Sequence, residues 1–155
     1  MSTYALAFLI GVIAGLRSMT APAVVSWGAR LGWLHLEDTW LAFLGFRWTR
    51  WILSIAALGE LIGDKLPSTP SRKALVPFVA RILSGGLCGG AIGATLGHLY
   101  LGMVFGAAGA VAGTLGGYAA RTGLVRATGG RDVPIALLED LIAIVMAVCV
   151  VMFAK

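Results

Sequence analysis

A chain of 155 residues that is 59% hydrophobic and only 12% charged carries more apolar surface than a soluble domain of this size can bury. This excludes a water-soluble globular protein and points to an all-α, polytopic membrane helix bundle, a single integral domain over residues 1–155. The net charge of +5 sits in connections beside apolar stretches, as topology signals and contacts with anionic lipid headgroups do. No basic stripe with interleaved aromatics suggests a nucleic-acid partner.

A helix needs about 20 residues to cross the hydrocarbon. About five transmembrane helices are predicted, near 4–27, 49–66, 75–97, 101–123 and 134–154. The opening MSTYALAFLIGVIAGL lacks the basic n-region and cleavage site of a signal peptide and reads as a retained first span. Five spans place the ends on opposite sides. Lys65, Arg72, Lys73, Arg121, Arg126 and Arg131 then share the amino-terminal side. Arg30, Arg47, Arg50 and Lys155, partly offset by Glu37 and Asp38, fall on the other. The bias predicts a cytoplasmic amino terminus.

Within the first span stands GLRSMTAP. Arg17 lies roughly 20 Å into the helix at 1.5 Å per residue, a costly depth that calls for a polar interior and a partner. Pro22 disfavours helix at the preceding residue, so a kink or break is predicted near 17–22. Unwound backbone at that depth is tolerated only inside protein or along a wet cavity. Ser18 and Thr20 join Arg17 as candidate pathway residues.

Trp27, Trp33, Trp40, Trp48 and Trp51 surround the first long linker, at the headgroup level that tryptophan prefers. A short interfacial helix is predicted near 37–46; a substrate-binding aromatic cage is the alternative. In the second span, GELIGDKLPSTPSR puts Glu60 at a depth close to that of Arg17, with Asp64 one turn deeper on the same face. Glu60 is the expected partner of Arg17, and Asp64 is expected to face Glu139 or Lys65. Lys65, Arg72 and Lys73 form either a positive-inside anchor or a lipid-phosphate site.

In the third and fourth spans Gly85, Gly89 and Gly93 repeat every four residues, as do Gly109, Gly113 and Gly117, with Gly102 and Gly106 before them. This glycine-zipper spacing lets backbones approach closely, within a chain or between chains. Cys88 and Cys149 read as small packing residues. Glu139 and Asp140 enter the last span and are expected near the depth of Asp64.

WGARLGW at 27–33 resembles YAARTGL at 118–124, and GVIAG at 11–15 resembles GAVAG at 109–113. With a connecting third span, this suggests an inverted 2+2 repeat over 4–66 and 101–154, an arrangement found in transporters.

Two readings of the ionisable residues stand. Arg17 and Glu60 either lock helix register or, with Asp64, Glu139 and Asp140, line a polar pathway where crowded acids exchange protons. No Walker loop, HExxH, CxxC or GxSxG occurs, and His35 and His98 are isolated. An enzyme, a cofactor and a metal site are therefore not expected.

ARLGWLHL at 29–36, GELIGDKLPSTPSR at 59–72 and LLEDLIAI at 137–144 resemble a family of small bacterial multi-pass membrane proteins known as a domain of unknown function. The resemblance implies the bacterial inner membrane and supplies no activity. The resulting expectation is a small transporter or channel, working as a homo-oligomer (dimer or larger), for a small anionic solute coupled to protons or cations. The alternative is a membrane scaffold or lipid-binding protein.

Overall fold

The computed structural model describes residues 2–63, 75–130 and 132–155, and its regular elements are all helical among the described residues. The order is α1 (Thr3–Leu16), α2 (Thr20–Arg30), a 3-10 turn (Trp40–Gly45), α3 (Thr49–Gly63), α4 (Leu75–Ala94), α5 (Leu99–Ala127) and α6 (Asp132–Phe153). Among the described residues, three helices are long and apolar enough to cross a bilayer: Leu75–Ala94, Leu99–Ala127 and Val133–Phe153. The membrane helix bundle expected from composition is therefore present.

The predicted break falls where the sequence placed it. Ser2 caps α1, its hydroxyl accepting from Ala5 N–H at 3.3 Å. The helix ends at Leu16, and Arg17 is extended at φ −140°, ψ 105°. Pro22 is accommodated in the first turn of α2, where a missing N–H costs little.

Past the break, the chain departs from the predicted first span. Tyr4 stacks near His98 and Phe105, with ring centroids 6.0 and 5.3 Å away, so α1 starts beside the start of α5. A Cβ on Gly11 would strike Gly106, and one on Gly15 would strike Ala110 and Thr114. The two helices therefore run side by side in one direction. α2 then turns back. Its start lies against Glu60, and Trp27, near its end, against Trp51, so it is antiparallel to α3. Arg17 meets Asp140 while Gly28 meets Val151, so α2 runs with α6, which α1 opposes. Thr3, Trp33, His35, Thr95 and Lys155 line one cavity of about 240 Å³. Both ends of the described chain thus lie at the same end of the bundle. Residues 4–27 are a re-entrant hairpin, not a span.

The tip of that hairpin stops at mid-depth. It touches Ser84, Thr114 and Asp140, which lie near the middles of α4, α5 and α6. The inverted 2+2 relation is absent as well, because α1 and α5, which it would set antiparallel, run the same way.

Glycine explains how three backbones share the space beside α1. A Cβ on Gly106 would sit 2.1 Å from Gly85 O, and one on Gly102 would sit 2.3 Å from Gly89 O. Across α1 and α5, Cβ atoms on Gly109 and Gly113 would each lie 2.1 Å from a carbonyl, of Phe8 and Val12 respectively. Backbone touches backbone along both seams, which gives dispersion contact that lipid cannot match. Cys88 is buried here as expected, whereas Cys149 is exposed.

The apolar core lies in the half of the bundle that holds the hairpin, with Ile10, Ile13, Val25, Leu34, Leu41 and Ile92 fully buried. α5 has no buried residue after Thr114. The predicted interfacial helix is the short 3-10 turn, capped by the Thr39 hydroxyl. It buries Leu41 and Leu44 and leaves Trp40 and Phe46 exposed. It belongs to the end that carries the chain termini, which the five-span reading had separated.

Two measurements check this architecture. Gly106→Ala is expected to cost at least about 1–3 kcal/mol by overpacking. Gly123→Ala, in a helical site with nothing within 4 Å, is expected to gain up to about 1 kcal/mol; thermal unfolding of detergent-purified protein reads both. Reporter cysteines at residues 2 and 155 should label from the same face of sealed vesicles, and labelling from opposite faces would contradict the hairpin.

Candidate functional site at the hairpin tip

A helix that ends inside hydrocarbon leaves carbonyls at one terminus and N–H groups at the other with no intrahelical partner. At the tip both kinds converge within three residues, and side chains from neighbouring helices meet them. Thr114 of α5 donates its hydroxyl proton to Gly15 O at 3.1 Å, sharing it with Ala110 O at 2.8 Å. Ser84 of α4 donates to Ser18 O. Glu60 of α3 accepts from Ser18 N–H at 2.8 Å and Ser18 Oγ at 2.9 Å on one oxygen, and from Met19 N–H at 2.8 Å on the other. This carboxylate caps α2 from a different helix, in place of the usual local N-cap side chain.

Charge is arranged to the same end. The carboxylate of Glu60 stands at the positive start of α2, and the Arg17 guanidinium at the negative end of α1. Arg17 is 0% exposed and forms an ion pair with Asp140 of α6, itself 6% exposed. The sequence had pointed to Glu60 as the arginine's partner. Glu60 does reach the expected depth, yet its oxygens serve the tip backbone. The acid ion-paired with Arg17 is Asp140. It was expected near headgroup level, but α6 starts at Asp132, earlier than predicted, and carries Asp140 about 12 Å into the helix.

The other predicted residues separate. Ser18 and Thr20 are at the tip, Thr20 being the first residue of α2. Glu139 faces Arg121 at 3.7 Å, away from the tip, on the wall of an apolar groove of about 200 Å³ between α5 and α6 whose lining includes Leu16. Asp64, Lys65, Arg72 and Lys73 lie outside the described residues, and so do the pairing expected of Asp64 and the lipid-phosphate reading. The aromatic cage is filled by the chain itself. Arg50 sits 4.7 Å over Trp27 and 5.7 Å over Trp51, and Trp27 Nε1 donates to Ser54 at 3.1 Å. That is cation–π stabilisation at the interface.

Three residues of this region escaped the sequence reading. Arg81, in VPFVARILSGG, is 4% exposed near the tip level, one turn from Ser84. Its signal was the one that singled out Arg17, a lone cation inside an apolar helix. Ser84 and Thr114 carried no such signal, since hydroxyls are common in membrane helices and bond their own backbone.

The molecule is therefore a polytopic helical membrane protein whose re-entrant hairpin brings ionisable side chains to mid-depth. The chain belongs to the DUF4126 family, a domain of unknown function, whose sequence model matches residues 4–154. No curated protein and no solved structure matches it significantly.

Asp140→Asn removes the carboxylate that pairs with the buried Arg17 and is expected to cost about 3–5 kcal/mol. The double change Arg17→Met with Asp140→Leu removes both charges and is expected to recover most of that loss, measured by chemical unfolding of both proteins in one detergent.

Proposed function

We propose that this protein is a small membrane transport protein, not an enzyme, whose site for a small anionic solute is the hairpin tip. One observation carries the reading: a helix break at mid-depth with a buried arginine and the amino end of a half-helix. Half-helices ending at the midplane serve as solute sites in transporters, because their exposed N–H groups and dipoles replace the hydration shell of a charged group. Asp140 and Glu60 are the groups that would take up protons or cations during turnover. Beyond the tip, the groove between α5 and α6, whose lining includes Leu16, offers an approach from the far side. Glu139 and Arg121 border it; Ser18 and Thr20 supply hydroxyls; Arg81 adds positive charge near tip level.

The bacterial inner membrane remains the location the family resemblance implies. Arg121 and Arg126 lie near the end of α5, opposite the chain ends, and by the positive-inside tendency they support a reading in which that end faces the cytoplasm. A homo-oligomer, dimer or larger, fits the small interior of one chain.

The second reading is a scaffold or lipid-binding protein, favoured by the complete burial and ion pairing of Arg17, which suits a lock on register. Flux into proteoliposomes loaded with chloride, formate, acetate or phosphate separates the two. Wild type is expected to pass at least one of these anions, and the folded double variant Arg17→Met, Asp140→Leu to pass it about tenfold more slowly or worse, as a loss of ~1.4 kcal/mol or more of binding would give. No flux in wild type, or equal flux in both, would favour the scaffold.

A further inference from the structure

We propose that the hairpin tip is a carboxylate-binding site whose resident occupant is the Glu60 side chain, and that a free small carboxylate takes the same donors when Glu60 leaves. The inference deepens the transport reading by naming the solute class and the group that competes with it.

The donor set is shaped for two oxygens. Ser18 N–H and Oγ converge on one oxygen of Glu60, and Met19 N–H takes the other, all at 2.8–2.9 Å. This is how the start of a helix receives an anion, and α2, with 11 residues, is long enough to contribute its dipole. A second observation is independent of Glu60. The Thr20 hydroxyl, on the first residue of α2, is buried and has no hydrogen-bond partner. Such a group is rare and calls for an explanation. It is a further donor at the same terminus, beyond what Glu60 uses.

The occupant is also removable. Glu60 is only half-buried and comes from α3, which packs chiefly on α2 and the 3-10 turn. Arg17 is ion-paired with Asp140, and the carboxylate that meets the Ser18 and Met19 donors is that of Glu60. Protonating or withdrawing it leaves the Ser18 and Met19 N–H groups without their acceptor, a state that a free carboxylate relieves.

The test measures binding without transport. Thermal unfolding, followed by tryptophan fluorescence in detergent, is compared in formate, acetate, phosphate and chloride at equal ionic strength. A ligand that binds only the folded state raises its stability. Glu60→Ala is expected to unfold several degrees below wild type in chloride and to regain much of the difference in formate or acetate. Glu60→Gln, which keeps the volume and one acceptor, should show the same trend more weakly, and wild type should show none. If Glu60→Ala does not fold in chloride, its folded yield in formate against chloride becomes the reading. Adding Thr20→Val to Glu60→Ala should reduce the formate response severalfold; an undiminished response removes Thr20 from the site. No carboxylate-specific gain in either Glu60 variant, an equal gain in wild type, or a gain with phosphate alone overturns the proposal. Rescue without flux in liposomes would leave the site and remove transport, and flux without rescue would do the reverse.

Discussion

A polypeptide that stops being helical in the middle of a bilayer must find partners for its backbone at once, because no water is there to serve. The rest of this fold is organised around that requirement. Each of the four helices after the hairpin sends one polar side chain to the turn: Glu60 from α3, Ser84 from α4, Thr114 from α5 and Asp140 from α6. Two of them meet carbonyls, one meets N–H groups and one meets the guanidinium. The positions of the helices follow from the need to deliver these groups to one point.

The same economy bears on the two functional readings, which use the same atoms. An arginine neutralised by Asp140 and a helix start capped by Glu60 are sufficient to hold the hairpin. They are also what an anion site looks like when its place is taken by a side chain of the protein. The unmatched hydroxyl of Thr20 is the observation that a purely structural account leaves over. A lock would gain by replacing it with an apolar group of similar shape.

Much of this was legible in the sequence, and the failures have physical causes. Apolar composition and length fixed the class and located α4, α5 and α6 to within a few residues. Proline and a stranded arginine located the break, and helical rise alone brought Glu60 to the depth of the tip. Hydropathy could not say which way the chain leaves the break, since a helix that continues and one that turns back bury similar residues. The one clue was length. Thr3 to Arg30 would extend about 42 Å as one straight helix, well beyond a hydrocarbon core of about 30 Å. Partner assignment failed for a different reason: depth is a single coordinate, and Glu60 and Asp140 share it from different directions. Arg81 was missed through neglect of a signal that was present. The tryptophan spacing marked this stretch out, but only coordinates revealed that Arg50 sits over both Trp27 and Trp51.

The two seams of the hairpin differ in kind. Along its middle, α1 lies on α5 through glycines whose backbones touch, and bare backbone has no rotamer to change to accommodate sliding. α2 lies on α3 and α6 through ordinary side chains, and a three-residue turn, residues 17–19, joins it to α1. Interfaces built from bare backbone shear poorly, whereas those built from rotatable groups tolerate small displacements. Any working motion of this molecule is thereby channelled into the second arm, which can swing on residues 17–19 as the first stays clamped like the fixed jaw of a vice.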